Sequence, residues 1–160
     1  MCQHGQVPTD DPLARTELTL LLGLAFQLVL GEFVRRTDAA GYADLRPIHG
    51  MTFQVLQGQG ATASELAERL GVTKQAAGQI VDDLEKRGYV RRTPHPDGGR
   101  RKLVVLTERA TEHLSVAGRL LHDLESELAG AADLAGLRTE LARLIRELAG
   151  DRLPALRPVW

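Results

Sequence analysis

A mostly α-helical fold carrying one small β-hairpin is what this sequence predicts, and three observations predict it. Apolar residues recur at i, i+3, i+4 and i+7 over most of the chain, the spacing that gathers them on one side of a helix. Glycines close those stretches at 41, 58, 60, 71, 88, 130 and 150. The periodicity changes only around residues 89–106, where two short β-branched segments flank HPDGG at 95–99.

The elements follow in order. Residues 1–9 are polar and irregular and read as a frayed terminus. Asp10 or Asp11 caps a first helix with Pro12 at its first position. Apolar residues then persist from Leu13 to Val34. The stretch Leu18–Leu30, LTLLLGLAFQLVL, is apolar nearly all round. It is shorter than the roughly 18 residues a membrane span needs, so a buried helix is expected, covered on several sides and in part by a second subunit. Ala40 and Gly41 close it.

Pro47 opens a short helix, Ile48–Gln57, ended by Gly58 and Gly60. Thr62 and Glu65 stand at capping-box spacing, before a stripe of Leu66, Ala67 and Leu70 that Gly71 stops. Thr73 caps the next helix, with Ala76, Ala77, Ile80, Val81 and Leu84 at helical spacing up to Gly88. Tyr89–Thr93 and Arg101–Leu106 read as strands, joined by a turn-rich tip. Thr107 caps a long helix to about Ala129. After Gly130 a last helix carries Leu134, Leu137, Leu141, Leu144, Ile145 and Leu148 to Gly150, and the tail, with Pro154 and Pro158, reads as extended.

Several function classes are excluded at this level. With 160 residues, 43% of them hydrophobic, and a net charge of −1, the chain fits one ordered domain. Cys2 is the sole cysteine, so neither an intrachain disulfide nor a cysteine metal site is expected, which suits a reducing cytoplasm. No residue near it in sequence would lower its pKa for redox work. No basic segment leads into an apolar leader, so no signal peptide is expected. His4, His49, His95, His113 and His122 contain no i,i+4 pair or HExxH and read as structural or solvated. Ser64 and Ser115 lack a nucleophile context, and no glycine-rich phosphate loop exists. Neither an enzyme nor a cofactor or metal is expected, and no membrane partner.

The neutral mean hides an asymmetry. Residues 73–102 carry a net +4 between flanks of −3 and −2, a footprint suited to a polyanion. In that region two short helices meet at LGVT and a hairpin follows, which is a winged helix-turn-helix. Gly71 permits the tight turn. Thr73 presents a hydroxyl and free amides where a phosphate can sit. Lys74, Gln75, Gly78 and Gln79 fall opposite the apolar stripe, in the half of the helix that reaches base edges in the major groove. Glutamine pairs bidentately with adenine. Gly78 costs the helix about 1 kcal/mol against alanine. Close approach to a duplex and close helix packing are both reasons to accept that cost. Asp82, Asp83 and Glu85 lie in the second half, where Asp82 or Asp83 can pair with Lys86 or Arg87. Duplex contact is therefore expected from the N-terminal half only.

The segment 65–110, ELAERLGVTKQAAGQIVDDLEKRGYVRRTPHPDGGRRKLVVLTERA, resembles the DNA-binding core of the MarR family of bacterial transcription regulators. LGVT, the LEKRGYV junction, a basic wing and LVVLT occur in the family's order. The resemblance covers roughly residues 45–115. It implies a winged helix-turn-helix lobe at 46–108 and a helical dimerisation region at 10–45 and 109–160. It further implies a cytoplasmic, nucleoid-associated homodimer on a pseudopalindromic operator in double-stranded DNA. The implied mode is repression, relieved by a small aromatic or phenolic ligand held between the dimer helices and the lobe. The family wing reads Asp-x-Arg. Arg100 falls on that arginine, but Gly98 occupies the aspartate position, with Asp97 one residue earlier.

The expected DNA contacts are Ser64, Thr73, Lys74, Gln75, Gly78, Gln79, Arg92, Arg100, Arg101 and Lys102. Arg100 is the minor-groove probe, and Arg101 a phosphate contact or substitute probe. The expected ligand-site residues are Phe26, Leu30, His49, Phe53 and Leu114. Two rivals stand beside this reading. One is a winged-helix module that docks protein, which would show no salt-dependent DNA binding. The other is a small-molecule-binding protein that does not bind DNA.

Overall fold

Glycine and proline placement sets most of the direction changes in the chain. The computed structural model describes residues 11–150. The expectations for Cys2, His4, Asp10, the other residues of 1–9 and the tail 151–160 lie outside the described residues.

Asp11 accepts from the Leu13 amide at 2.9 Å and Pro12 follows it, as expected, but the result is one 3₁₀ turn, Pro12–Arg15. The first long helix, α1 (Leu18–Thr37), begins only after Thr16, whose backbone is extended. The Thr16 hydroxyl donates to the Pro12 carbonyl at 3.1 Å. Such a local bond competes with helix continuation, and the single helix expected from Pro12 is corrected accordingly. A wide turn, Asp38–Tyr42, ends α1, with Gly41 at φ 97° reversing the chain.

Helix α2 (Pro47–Leu56) is closed at its start by the His49 ring, whose Nδ1 accepts from the Arg46 amide at 3.1 Å. Before α3 (Ala63–Leu70), the Thr62 hydroxyl accepts from the Glu65 amide at 3.3 Å, and the Glu65 carboxylate accepts from the Thr62 amide at 2.8 Å. Gly71 ends α3 in the left-handed region (φ 66°, ψ 32°), where a side chain would be strained. Thr73 caps α4 (Lys74–Lys86) by accepting from the Ala76 amide at 3.1 Å. After Gly88, the Tyr89 amide reaches back to the Leu84 carbonyl at 2.9 Å, a C-terminal lock typical of a glycine stop.

Strands β1 (Val90–Pro94) and β2 (Lys102–Leu106) pair antiparallel, Val90 opposite Leu106 and Pro94 opposite Lys102. A third piece of chain joins them. Ala61 and Val104 exchange both backbone hydrogen bonds, at 3.1 and 2.8 Å. This bridge ties the α2–α3 turn to the hairpin. Helix α5 (Glu108–Ala129) starts at Thr107 as expected, but the Thr107 hydroxyl does not cap it. It donates instead toward the Gly88 and Tyr89 carbonyls, at 2.7 and 3.0 Å. Gly130 ends α5, and Asp133 caps α6 (Leu134–Ala149) through the Gly136 amide at 2.9 Å.

One core, centred on Phe53, Leu66, Leu70, Leu84, Tyr89 and Val104, joins α2, α3, α4 and the hairpin. The apolar face of α4 is Ala77, Val81 and Leu84, with Ala76 and Ile80 half-buried at its margin.

Helix α1 differs from expectation. It is not buried within the chain: Thr37 is its single buried residue, while Leu18, Leu20, Leu24 and Leu28 are exposed. Counted with its terminal turn, Leu18–Tyr42 is also long and apolar enough to cross a membrane by length and composition, with mean hydropathy 1.6 over 18 residues. The shorter stretch read from the sequence underestimated it. Toward its C-terminus α1 is held to α5 by an ion pair, Arg36 to Glu127 at 2.5 Å. The paired arginines Arg35 and Arg36 pull the Glu32 carboxyl down to about 2.

Candidate nucleic-acid interface

The turn between α3 and α4 fixes where α4 points. Its Ala77–Val81–Leu84 face is buried, so the opposite stripe, which carries Gln75 and Gln79 one turn apart, is exposed. Lys74 is exposed in the first turn, and Ser64 is exposed in the first turn of α3. Thr73 keeps its capping role with its side chain at the same end. A Cβ built on Gly78 meets nothing within 4 Å, so no packing within the chain requires glycine there. Gly78→Ala is expected to stabilise the fold by about 1 kcal/mol while weakening duplex binding. Thermal unfolding and a DNA titration check the two halves, and a loss of stability would count against this account.

The wing carries Arg100, Arg101 and Lys102, all exposed. Asp97 lies 3.7 Å from Arg101 and 3.6 Å from His95, so the one carboxylate at the tip braces Arg101. Arg92 has a different position from the other basic residues. Its guanidinium pairs with Glu85 and, at 2.6 Å, with Asp82, and its amide donates to Glu85 at 3.0 Å. It anchors β1 to α4 and offsets two carboxylates on the second half of that helix. Asp83 pairs with Arg87 at 2.9 Å.

A second polar cluster lies behind α4, and nothing in the sequence pattern pointed to it. The Asp44 carboxylate accepts from the Tyr89 hydroxyl at 3.1 Å, and the Asp44 carbonyl accepts from Arg87 at 2.8 Å. Arg109 of α5 lies over the Tyr89 ring, 4.3 Å from its centre, and donates to the Arg87 carbonyl at 2.7 Å. The His49 Nε2 is 3.5 Å from the Asp83 carboxylate. Helix α2 thus touches the recognition-like helix through His49. Burial holds both His49 and His113 below the usual imidazole range, the nearby Asp83 partly opposing this at His49.

Below about pH 6.5 the unfolded chain therefore binds more protons at these two sites than the folded one. Stability should fall as pH drops through that value and level off once the folded-state groups protonate. Unfolding midpoints measured from pH 7.5 to 5 test this. Replacing both histidines by leucine should flatten the slope, and an unchanged slope would contradict it.

On the other side of α2 a cavity of about 370 Å³ opens between α1, α2 and α5. Phe26, Leu30 and Leu114, three of the residues expected at a ligand site, line it. His49 and Phe53 do not. His49 faces α4, and Phe53 is fully buried against Tyr89 with ring centres 5.6 Å apart. His113, read from the sequence as structural or solvated, also lines the cavity, with Phe33 and Met51.

These elements define a winged helix-turn-helix flanked by long helices. The sequence profile of the MarR family matches residues 43–101. The uncharacterized protein Rv2011c of Mycobacterium tuberculosis (strain ATCC 25618 / H37Rv) is 32% identical over 101 residues, which are 61% of this chain and 71% of the relative. The chain belongs to the MarR family, whose members are DNA-binding transcription regulators and not enzymes. A riboflavin kinase of Thermoplasma volcanium is 42% identical over 53 residues. That segment is 33% of this chain, which spans only 23% of the kinase's length. Among solved structures, the S. aureus MepR–DNA complex superposes with TM-score 0.66 at 18% identity, covering 84% of this chain and 98% of MepR. CouR of Rhodococcus jostii RHA1, bound to p-coumaroyl-CoA, gives 0.66 at 21% identity, covering 85% and 94%. At these identities the likeness is one of fold.

Proposed function

We propose that this protein is a repressor that binds a pseudopalindromic site in double-stranded DNA as a homodimer and is released by a small apolar ligand. The observation that carries the proposal is the exposed Gln75–Gln79 stripe in the N-terminal half of α4, beside a wing bearing Arg100, Arg101 and Lys102. In this reading residues 46–108 form the DNA-binding lobe, and 10–45 with 109–160 form the dimerisation region. Gln75 and Gln79 meet base edges, with Lys74, Gly78, Ser64 and the Thr73 end of α4 against the backbone. Arg100 and Arg101 enter the minor groove, and Lys102 meets phosphate. Arg92 is removed from the contact set, because Asp82 and Glu85 already hold it.

A dimer seated on a promoter excludes polymerase from the same DNA, which makes repression the simplest mode. The protein acts in the cytoplasm, where its DNA is. A second copy, rather than a membrane, covers α1. The α1–α5 tie through Arg36 and Glu127 and the exposed leucines of α6, Leu137 and Leu148, support that choice. The ligand site is the α1–α2–α5 cavity, with α2 carrying its occupancy to α4 through His49 and Asp83. The MepR complex with DNA and the CouR complex with a CoA ester are consistent precedents on the same fold.

The test is affinity for DNA from the protein's own upstream region and for random duplex, each at several salt concentrations. Gln79→Ala should cost roughly 1–3 kcal/mol on the cognate site and little on random DNA. Arg100→Ala with Arg101→Ala should weaken both. Each lost phosphate contact should lower the salt dependence by nearly one unit of log K per log salt per subunit. A double wing variant with wild-type affinity and slope would remove the wing from the interface and favour protein docking.

A further inference from the structure

We infer that His95 is a positioning residue of the wing and that it works through its proton: neutral, it leaves Asp97 to Arg101, and protonated, it takes Asp97 for itself and releases Arg101 to the duplex. This rests on the DNA-binding reading above and names a residue that would tune it. His95 stands at the base of the hairpin tip. Its amide donates to the Arg101 carbonyl at 3.2 Å and its carbonyl accepts from the Gly98 amide at 2.9 Å, so this one residue closes both the strand pairing and the turn. Its side chain is only 14% exposed, although the tip around it is open to solvent.

The ring atoms show which form the wing holds. Nδ1 accepts from the Asp97 amide at 3.2 Å. An imidazole nitrogen that accepts carries no hydrogen, so the ring in this geometry is neutral. Asp97 Oδ2 lies 3.6 Å from that Nδ1 and 3.7 Å from the Arg101 guanidinium. One carboxylate oxygen thus stands between a bare nitrogen and a cation, and the cation holds it. A proton on Nδ1 changes the outcome. The Asp97 amide, exposed at the tip, passes to water, and Nδ1–H donates to Oδ2 instead. A charge-assisted bond of about 2.7–2.9 Å needs a movement of less than about 1 Å. The charge of Asp97 is then matched by His95, and that of Arg101 is left for a phosphate.

From the neighbouring element, α3, it is Glu65 that feels the ring. Its carboxyl is held below the usual range first by the Thr62 amide and hydroxyl, with Arg69 and His95 adding smaller parts. Those two Thr62 bonds, at 2.8 and 2.9 Å, keep Glu65 at its capping task, so Asp97 is the carboxylate that answers the proton. A duplex on the wing brings phosphates toward the ring, and nearby negative charge favours the protonated imidazole. Binding and proton uptake are therefore linked, and affinity should rise as pH falls through the range in which imidazoles charge.

The experiment measures the affinity of the full chain for random duplex at pH 7.5 and pH 6, each at several salt concentrations, for the wild type and His95→Asn. Asparagine sets an acceptor oxygen close to the place of Nδ1 and suits the first position of such a turn, so the tip keeps its shape and loses the titrating group. The wild type should bind about fivefold or more tightly at pH 6 than at pH 7.5. Its salt dependence should steepen by up to about one unit of log K per log salt per subunit. In His95→Asn, which retains His49 and His113, most of both changes should vanish. Calorimetry at pH 6.5 in buffers of different ionisation enthalpy gives a second readout: the wild type should take up protons on binding, and the variant fewer. Equal pH dependence in the two proteins, or equal proton uptake, would overturn the role of His95 and leave the wing as a DNA contact. Absence of salt-dependent duplex binding by the wild type at either pH would overturn both.

Discussion

Replacing Gly60 by alanine is expected to destabilise the DNA-binding lobe by roughly 3–4 kcal/mol. Gly60 has φ 75°, and a Cβ there would overlap the Val104 carbonyl oxygen and lie 2.9 Å from Val105 Cγ1. Two costs combine. The left-handed backbone costs a non-glycine residue about 1–2 kcal/mol. Relieving the overlap means pulling Ala61 away from Val104, and the two bridging hydrogen bonds are worth about 0.5–1.5 kcal/mol each. Gly58 supplies the control. It has φ 84° but nothing within 4 Å of its built Cβ, so Gly58→Ala should cost only the backbone component. Chemical denaturation of both variants measures the difference. If Gly60→Ala were no worse than Gly58→Ala, the bridge between the α2–α3 turn and the wing would not be holding the lobe together. The wing should also lose its orientation in Gly60→Ala, so DNA binding should fall before the protein unfolds.

The second large effect concerns assembly. Leu24 and Leu28 of α1 are 46% and 72% exposed in the single chain, and each buried leucine contributes roughly 1.5–3 kcal/mol. The wild-type protein is expected to be an obligate dimer burying more than ~2,000 Å². Glutamate at both positions should give monomers. With one lobe instead of two on the operator, affinity should drop by about 100-fold or more, while binding of a single lobe to random duplex changes little. Sedimentation velocity at micromolar concentration decides the first part and an operator titration the second. A folded wild-type monomer at that concentration would refute the dimer.

Both predictions concern features that were only partly legible in the sequence. The apolar excess of α1 is plain from LTLLLGLAFQLVL, and the expectation of a partner surface rests on it. That its own chain leaves Leu18, Leu20, Leu24 and Leu28 exposed is not plain, because periodicity reports which faces are apolar and not what lies against them. Gly60 reads from sequence as a helix stop. Its stricter role arises because Val104, forty-four residues later, is brought against it.

Local sequence determined the features whose two partners lie within a turn of each other. Thr62 and Glu65 cap one another, Thr73 caps α4, and Gly71 and Gly88 end their helices. Such bonds need no partner from a distant part of the chain, so spacing alone predicts them. The switch to alternating β-branched residues likewise placed the hairpin, and the apolar stripe of α4 placed Gln75 and Gln79 outside.

Tertiary structure decided where a side chain had several partners to choose from. Arg92 could have faced a phosphate, but folding of β1 against α4 set Asp82 and Glu85 beside it, and a nearby carboxylate on a rigid helix wins an arginine from solvent. Asp97 sits one residue from the family's aspartate position, and the shape of the turn carried it to Arg101. His49 and His113 look alike in sequence, each a histidine among apolar residues. One faces α4 and the other a cavity, because α2 packs between the two and a helix has opposite sides.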